Sequence, residues 1–149
     1  MKLEQAIQTQ GFKSEKQKAV VNLMYTAYIV KTEISNALKA YGLTPEQYNV
    51  LRILKGKYPE QMCVRDIAGR LIERSSNVPR IIDRLEVKKL VKRNTSASDK
   101  RETVIILTQA GINMLDSANP AIEKAHNSSK LSNEEFIQLN ALLDRFRDK

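Results

Sequence analysis

Asn77, Arg80, Arg84 and Lys88 recur at three- and four-residue spacing, which on a helix gathers them along one ridge. Their chemistry suits a base edge: a guanidinium donates two hydrogen bonds to the major-groove edge of guanine, and a carboxamide pairs with adenine in the same two-point fashion. Immediately before them, Ser75 and Ser76 bring hydroxyls to a helix N-terminus, a place that suits a phosphate. A second polar group follows at Asp99, Lys100 and Arg101. An arginine on an extended loop can enter a narrow minor groove, drawn by its negative potential, with Asp99 to aim it. Each group also has a plainer reading. The ridge can be a solvated helix face on which Arg80 pairs with Asp83, and the second group an ordinary charged loop.

The elements around these residues follow from spacing. Residues 16–40 carry Val20, Leu23, Met24, Ala27, Ile34 and Leu38 at helical intervals after a loose start, and Gly42 lies just beyond as a stop. Thr44, Pro45 and Gln47 open a second helix with a capping box and a proline in the first turn, and Tyr58-Pro59 closes it. Its inward residues are expected to be Tyr48, Leu51 and Leu54. Val64, Ile67, Ala68 and Leu71 define a short third helix; Glu73 and Arg74 make a turn, Ser75 and Ser76 offer caps, and Val78, Ile81, Ile82 and Leu85 repeat the spacing. Pro79 falls in that helix's first turn, where a missing donor is tolerated. Two short helices joined by a tight turn are a helix-turn-helix. Residues 90–94 and 103–107 then read as a β-hairpin with a basic tip. Thr108 opens a helix to about residue 129, and Ser132 with Glu135 caps a last one through Phe136, Leu139, Leu142, Leu143 and Phe146.

The expected fold class is therefore mainly α with a small β-hairpin wing, a winged helix-turn-helix lobe joined to a helical dimerisation region. One domain, residues 1–149, is expected, with the DNA-binding lobe at about 44–107 and dimerisation helices at about 16–41 and 108–147. Helix, turn, helix and basic hairpin in that order let one body occupy both grooves of a duplex.

Charge agrees. The chain has 25 Lys and Arg against 17 Asp and Glu, a formal +8. The excess belongs to the first two thirds: nine cationic against five anionic side chains in residues 1–60, eleven against six in 61–107, and five against six in 108–149. A polyanion is the first partner to consider. Trp is absent, which argues against a broad base-stacking surface for single strands and favours a duplex. One cysteine cannot form an internal disulfide, the N-terminus lacks a signal-peptide core, and residues 19–30 are too short an uncharged run for the roughly 20 residues of a spanning helix. A cytoplasmic protein without membrane contact is the expectation.

Across about Leu43 to Gly111 the chain resembles the MarR family of regulators. The features agree in order: LTPEQY, DIAGRL, SSNV, IDRLE, LVKR, the Asp99-Lys100-Arg101 wing and LTQAG. What the resemblance implies is a homodimer of interlocked first and last helices, whose two winged lobes sit on a pseudopalindromic operator. It also implies repression, relieved when a small-molecule effector biases the lobes apart. By the same resemblance Ser75, Ser76, Asn77 and Arg80 fall in the DNA-reading segment, and Asp99 with Arg101 matches the wing-tip pair. Two positions depart from the pattern: Pro79 stands where threonine is usual, and Lys89 where glycine often precedes the Leu-Val pair.

The remaining candidates are few. Tyr25, Tyr28 and Tyr48 can line an effector cavity between the dimer helices and the lobe, or simply pack in the core. Cys63, at the start of a helix, can be a redox-responsive thiol or a small buried residue. His126 is the only histidine, too little for a zinc site, so no metal and no cofactor is expected. No glycine-rich cradle and no acid–base pair with a supporting motif points to an enzyme. The competing non-enzymatic class is a winged-helix module that works through protein contacts alone.

Overall fold

The computed structural model describes residues 1–148. Its elements in chain order are α1 (Leu3–Ala6), α2 (Glu15–Lys39), α3 (Pro45–Lys57), β1 (Met62–Cys63), α4 (Val64–Arg70), α5 (Val78–Val87), β2 (Val91–Thr95), β3 (Thr103–Leu107), α6 (Gln109–His126) and α7 (Asn133–Arg147). Most of these boundaries follow from caps. Ser14 accepts the Gln17 N–H, Thr44 and Gln47 form a reciprocal capping box, and Ser132 with Glu135 forms another. Gly42, at φ +63°, turns the chain out of α2 in the left-handed region that glycine enters without strain.

Three expectations are corrected. The hairpin is part of a three-stranded antiparallel sheet of order β1-β3-β2, because Met62 and Cys63 pair with Ile105 and Val104. Two residues are too few to carry an alternation signal. The helix from Thr108 ends at His126, where the Asn127 N–H folds back on the Glu123 carbonyl at 2.9 Å, three residues short of the expected limit. The N-terminus is not loose: α1 lies against α2 with Leu3 buried and Glu4 paired to Lys18 at 2.5 Å.

The core runs through the lobe, with Leu51, Leu54, Ile67, Ile82, Leu85, Ile105 and Leu115 essentially sealed from solvent. On α3 the inward set includes Gln47 and Val50 as well as Leu51 and Leu54, and Tyr48 is only half-buried. Its hydroxyl donates to Asn119 Oδ1 of α6 at 2.9 Å, which draws the ring off the inward line, and burial pushes its pKa up. Helix α7 buries no residue at all. Leu142 (60% exposed), Phe146 (52%), Met24 (68%) and Tyr28 (65%) leave α7 and α2 with apolar faces that nothing in one chain covers. No helix among the described residues is long and apolar enough to cross a membrane.

The lobe and α6 share one core through Ile112, Leu115, Ala118 and Ile122, and the chain crosses between them at a tight backbone junction. Thr108 caps α6 by accepting the Gly111 N–H at 3.1 Å, donates its hydroxyl to the Lys89 carbonyl at 2.8 Å, and its own N–H bonds the Leu90 carbonyl at 3.1 Å. Lys89 sits at φ +60°, which explains why glycine suits that position better. Gly111 passes so close that an added Cβ would collide with the Leu90 carbonyl oxygen and with Leu107 Cδ1. Backbone cannot give way there cheaply. Gly111→Ala is therefore expected to destabilise the chain by about 2 kcal/mol or more, read as a fall in the urea midpoint at unchanged slope; an unchanged midpoint would show that the joint has slack.

Candidate nucleic-acid interface

Helix α5 buries Val78, Ile82 and Leu85, and Ile81 packs partly against the same core, so the opposite face must point outward. That face carries Arg80, Arg84 and Val87, all exposed, with Val87 83% so. The arginines have no internal partner: among the described residues neither makes an ion pair within 4.0 Å. The plainer reading, in which Arg80 pairs with Asp83, is not realised, and the reason is Arg93. From β2, its guanidinium forks to Glu86 Oε2 at 2.9 Å and to Asp83. Both acids of α5 are thereby engaged on the wing side, and the helix presents uncompensated positive charge along its outer ridge.

Two expected ridge residues are placed differently. Lys88, itself exposed, reaches across to α3, donating to the Gly42 carbonyl and to Gln47 Oε1 (3.1 Å), which also accepts the Thr44 N–H. It leaves the ridge, and Val87 stands in its place. Asn77, not Ser75 or Ser76, caps α5: its Oδ1 accepts the Arg80 N–H at 3.2 Å, and the residue is exposed. Pro79 occupies the first turn without breaking the helix. Ser75 is exposed and Ser76 half-buried in the preceding turn, and both line an open groove of about 460 Å³ with Asn77, Arg80 and Arg84. Thr44 and Gln47 at the start of α3 form its far wall.

The wing tip is an ordered turn. The buried Ser96 hydroxyl lies 3.0 Å from Ser98 Oγ and accepts the Asp99 N–H at 3.4 Å, while the Glu102 N–H closes on the Asp99 carbonyl at 3.0 Å. Asp99 Oδ1 accepts the Arg101 N–H at 2.9 Å and lies 3.6 Å from Arg101 Nε. The Arg101 side chain is nonetheless 94% exposed, oriented at its base and free at its head, with Lys100 exposed beside it. The aiming role expected of Asp99 has this geometry. Sequence reasoning did not single out Arg93 or Ser96. Arg93 had no local signal, since its partners are seven and ten residues back on another element; the Ser-Ala-Ser-Asp run was a legible turn signal for Ser96.

An apolar cleft of about 350 Å³ opens between α2, α3 and the α4–α5 turn. Its walls include Ala27, Val30, Ile34, Leu71 and Ile72, and none of Tyr25, Tyr28 and Tyr48 borders it. Tyr48 is held by Asn119, Tyr28 points to solvent from α2, and Tyr25 is half-buried on α2, so this cleft does not use the expected tyrosines. Lys31 spans it, pairing with Glu46 at 3.3 Å and with Glu73. Cys63 is buried in β1, packed as a small core residue. No group of three or more His, Cys, Asp or Glu side chains that could hold a metal lies among the described residues.

Comparison with known proteins agrees with this architecture. The MarR family model matches residues 43–103. The chain is 30% identical over 120 residues to the HTH-type transcriptional regulator MhqR of Bacillus subtilis (strain 168), covering 78% of this chain and 80% of that protein. It is 32% identical over 111 residues to the HTH-type transcriptional regulator MgrA of Staphylococcus aureus, covering 74% of each. Among solved structures it is similar to the S. aureus MepR–DNA complex, with a TM-score of 0.77, 26% identity, and 85% of this chain and 94% of that one covered. With the lobe, the wing and the shared sequence in agreement, the chain belongs to the MarR family.

Proposed function

We propose that the protein is a sequence-specific regulator of transcription that binds double-stranded DNA as a homodimer, represses by occupying a pseudopalindromic operator, and is released by a small-molecule effector. One observation carries the reading: Arg80 and Arg84 stand unpaired on the outer face of α5 because Arg93 has taken the helix's acids, while Arg101 projects from an ordered wing. A ridge for the major groove and a guanidinium for the minor groove then belong to one rigid lobe. The similarity to a regulator solved on DNA supports the same partner. Ser75 and Ser76, with the amides before α5, serve the backbone phosphates; Lys100 adds charge at the wing, and Lys88 acts only by holding α5 to α3. Catalysis is no part of this function, which is exercised in the cytoplasm. The competing protein-contact module is set aside on the second cationic element, the wing-tip Arg101, which gives one lobe a contact for each groove.

The dimer rests on what one chain leaves bare. Among the described residues, most exposed large apolar side chains lie on α2 and α7, about 16–41 and the latter part of 108–147, which flank the lobe at about 44–107 in the chain. Leaving them in water is costly, at about 25 cal/mol per Å². Joining two copies through them places two α5 helices on one face of a duplex, which is what a pseudopalindrome requires.

Light scattering at micromolar concentration should show twice the chain mass, and replacing Leu139 and Leu142 by Asp should give a monomer with much weakened operator binding; a wild-type monomer that binds tightly would sink the dimer. Arg80→Ala should cost about 1 to 3 kcal/mol on the specific operator and relax preference at one base pair per half-site. Equal weakening on random DNA would reduce Arg80 to a phosphate contact. Arg101→Ala should flatten the difference between operators with A·T-rich and G·C-rich flanks and leave the major-groove preference alone, with Asp99→Ala a milder version. Operators differing only in their flanks, titrated at one salt concentration, decide it.

A further inference from the structure

The cleft beneath the α4–α5 turn has a charge as well as a shape. Its walls are apolar, and Ile72 at its edge is 86% exposed, a bare side chain that a ligand would cover. Its ionisable lining is Lys31, Glu46 and Glu73, one positive group against two negative. The Lys31 pKa is raised, first by the bond to Glu73 and then by Glu46; burial alone would push Glu46 up, but its own backbone N–H and Lys31 hold it below the usual range. The formal charges of the three side chains sum to −1.

We infer that this cleft binds a small lipophilic cation, which takes Glu73 and Glu46 from Lys31 and so loosens the turn that leads into α5. The inference rests on the effector-released regulator proposed above and names the effector's chemical class. An anion would meet one lysine already paired to two carboxylates, which repel it, whereas a cation meets two carboxylates that share a single ammonium, beside apolar walls that strengthen the attraction. Arg80 and Arg84 line the neighbouring groove together with Glu46 and Glu73 and are exposed to solvent, where charges more than about 8 Å apart are largely screened at physiological salt.

The coupling to DNA follows from which elements the three residues belong to. Lys31 lies on α2, within the dimerisation region; Glu73 lies in the helix-turn-helix turn, two residues before Ser75; and Ser76 itself lines the cleft. The Lys31–Glu73 pair therefore ties the reading head to the dimer scaffold. Within the lobe, the Ile72 N–H donates to Asn49 Oδ1 of α3 at 3.1 Å, which holds the turn against α3. An occupant that competes for Glu73 and wedges under Ile72 parts the turn from α2, and by linkage whatever it removes from DNA affinity DNA removes from its own.

Tetraphenylphosphonium and tetraphenylborate, alike in size and opposite in charge, test this. Calorimetry on the full chain without DNA should show binding of the phosphonium and at least tenfold weaker binding of the borate. Lys31→Met should tighten phosphonium binding roughly tenfold by unmasking both carboxylates, and Glu73→Gln should weaken it by a similar factor. In operator titrations the phosphonium should lower wild-type affinity and lose this effect in Glu73→Gln. Borate binding equal to or tighter than the phosphonium, or a Lys31→Met variant that binds the phosphonium more weakly, would overturn the cation assignment while leaving the regulator reading intact. A chain that binds no operator before any probe is added would overturn the regulator reading, and the calorimetry would still decide the ligand's charge.

Discussion

A helix that buries one face has no choice about the other, and the whole interface depends on that constraint at α5. Val78, Ile82 and Leu85 occupy the core side, each worth about 1.5 to 3 kcal/mol of burial, so the helix cannot roll without exposing them. Rotation about its axis is fixed by packing, and Arg80, Arg84 and Val87 face out as a consequence. The Arg93 fork then does for charge what the stripe does for orientation. Without it, Asp83 and Glu86 would remain within one turn of the two arginines and compete with any phosphate or base for them. Because Arg93 lies on β2, the same contact also sets the wing's base against the recognition helix.

Much of this was legible in the chain. The caps at Thr44, Thr108 and Ser132, the stop at Gly42 and the two apolar stripes of the helix-turn-helix are local signals, and the structure places helix ends at or near them. What was not legible is non-local. β1 is two residues long and exists because β3 offers an edge. Lys88 has the right spacing for the ridge, yet its ammonium bonds a buried Gln47 forty-one residues away. The tyrosines were chosen for their chemistry, but a cavity's lining depends on how helices cross, which spacing along one helix does not record. The substitution of glycine by Lys89 was visible as an oddity, and the positive φ supplies its reason.

The two halves of the molecule are stabilised differently. The lobe has a sealed core and contributes most of the buried apolar surface, whereas α2 and α7 present faces that one chain leaves wet. In the homodimer proposed above, a scaffold completed by a second copy would make the spacing between reading heads the soft coordinate of the assembly. Stiff elements move as bodies, and their joints absorb the change.

Those joints are few and of different strength. At Thr108 and Gly111 the chain crosses from lobe to α6 through three hydrogen bonds and a backbone contact with no room for a methyl group, a connection that transmits motion and does not yield. At the α4–α5 turn the connection from α2 is a half-exposed ion pair from Lys31. Exposed pairs contribute about 0 to 1 kcal/mol, small against the core yet comparable with the bias that shifts a two-state equilibrium severalfold. A regulator needs one joint that holds and one that can be persuaded, and the weaker of the two lies beside Ser75 and Ser76, where a small displacement is carried directly into the turn that leads into α5.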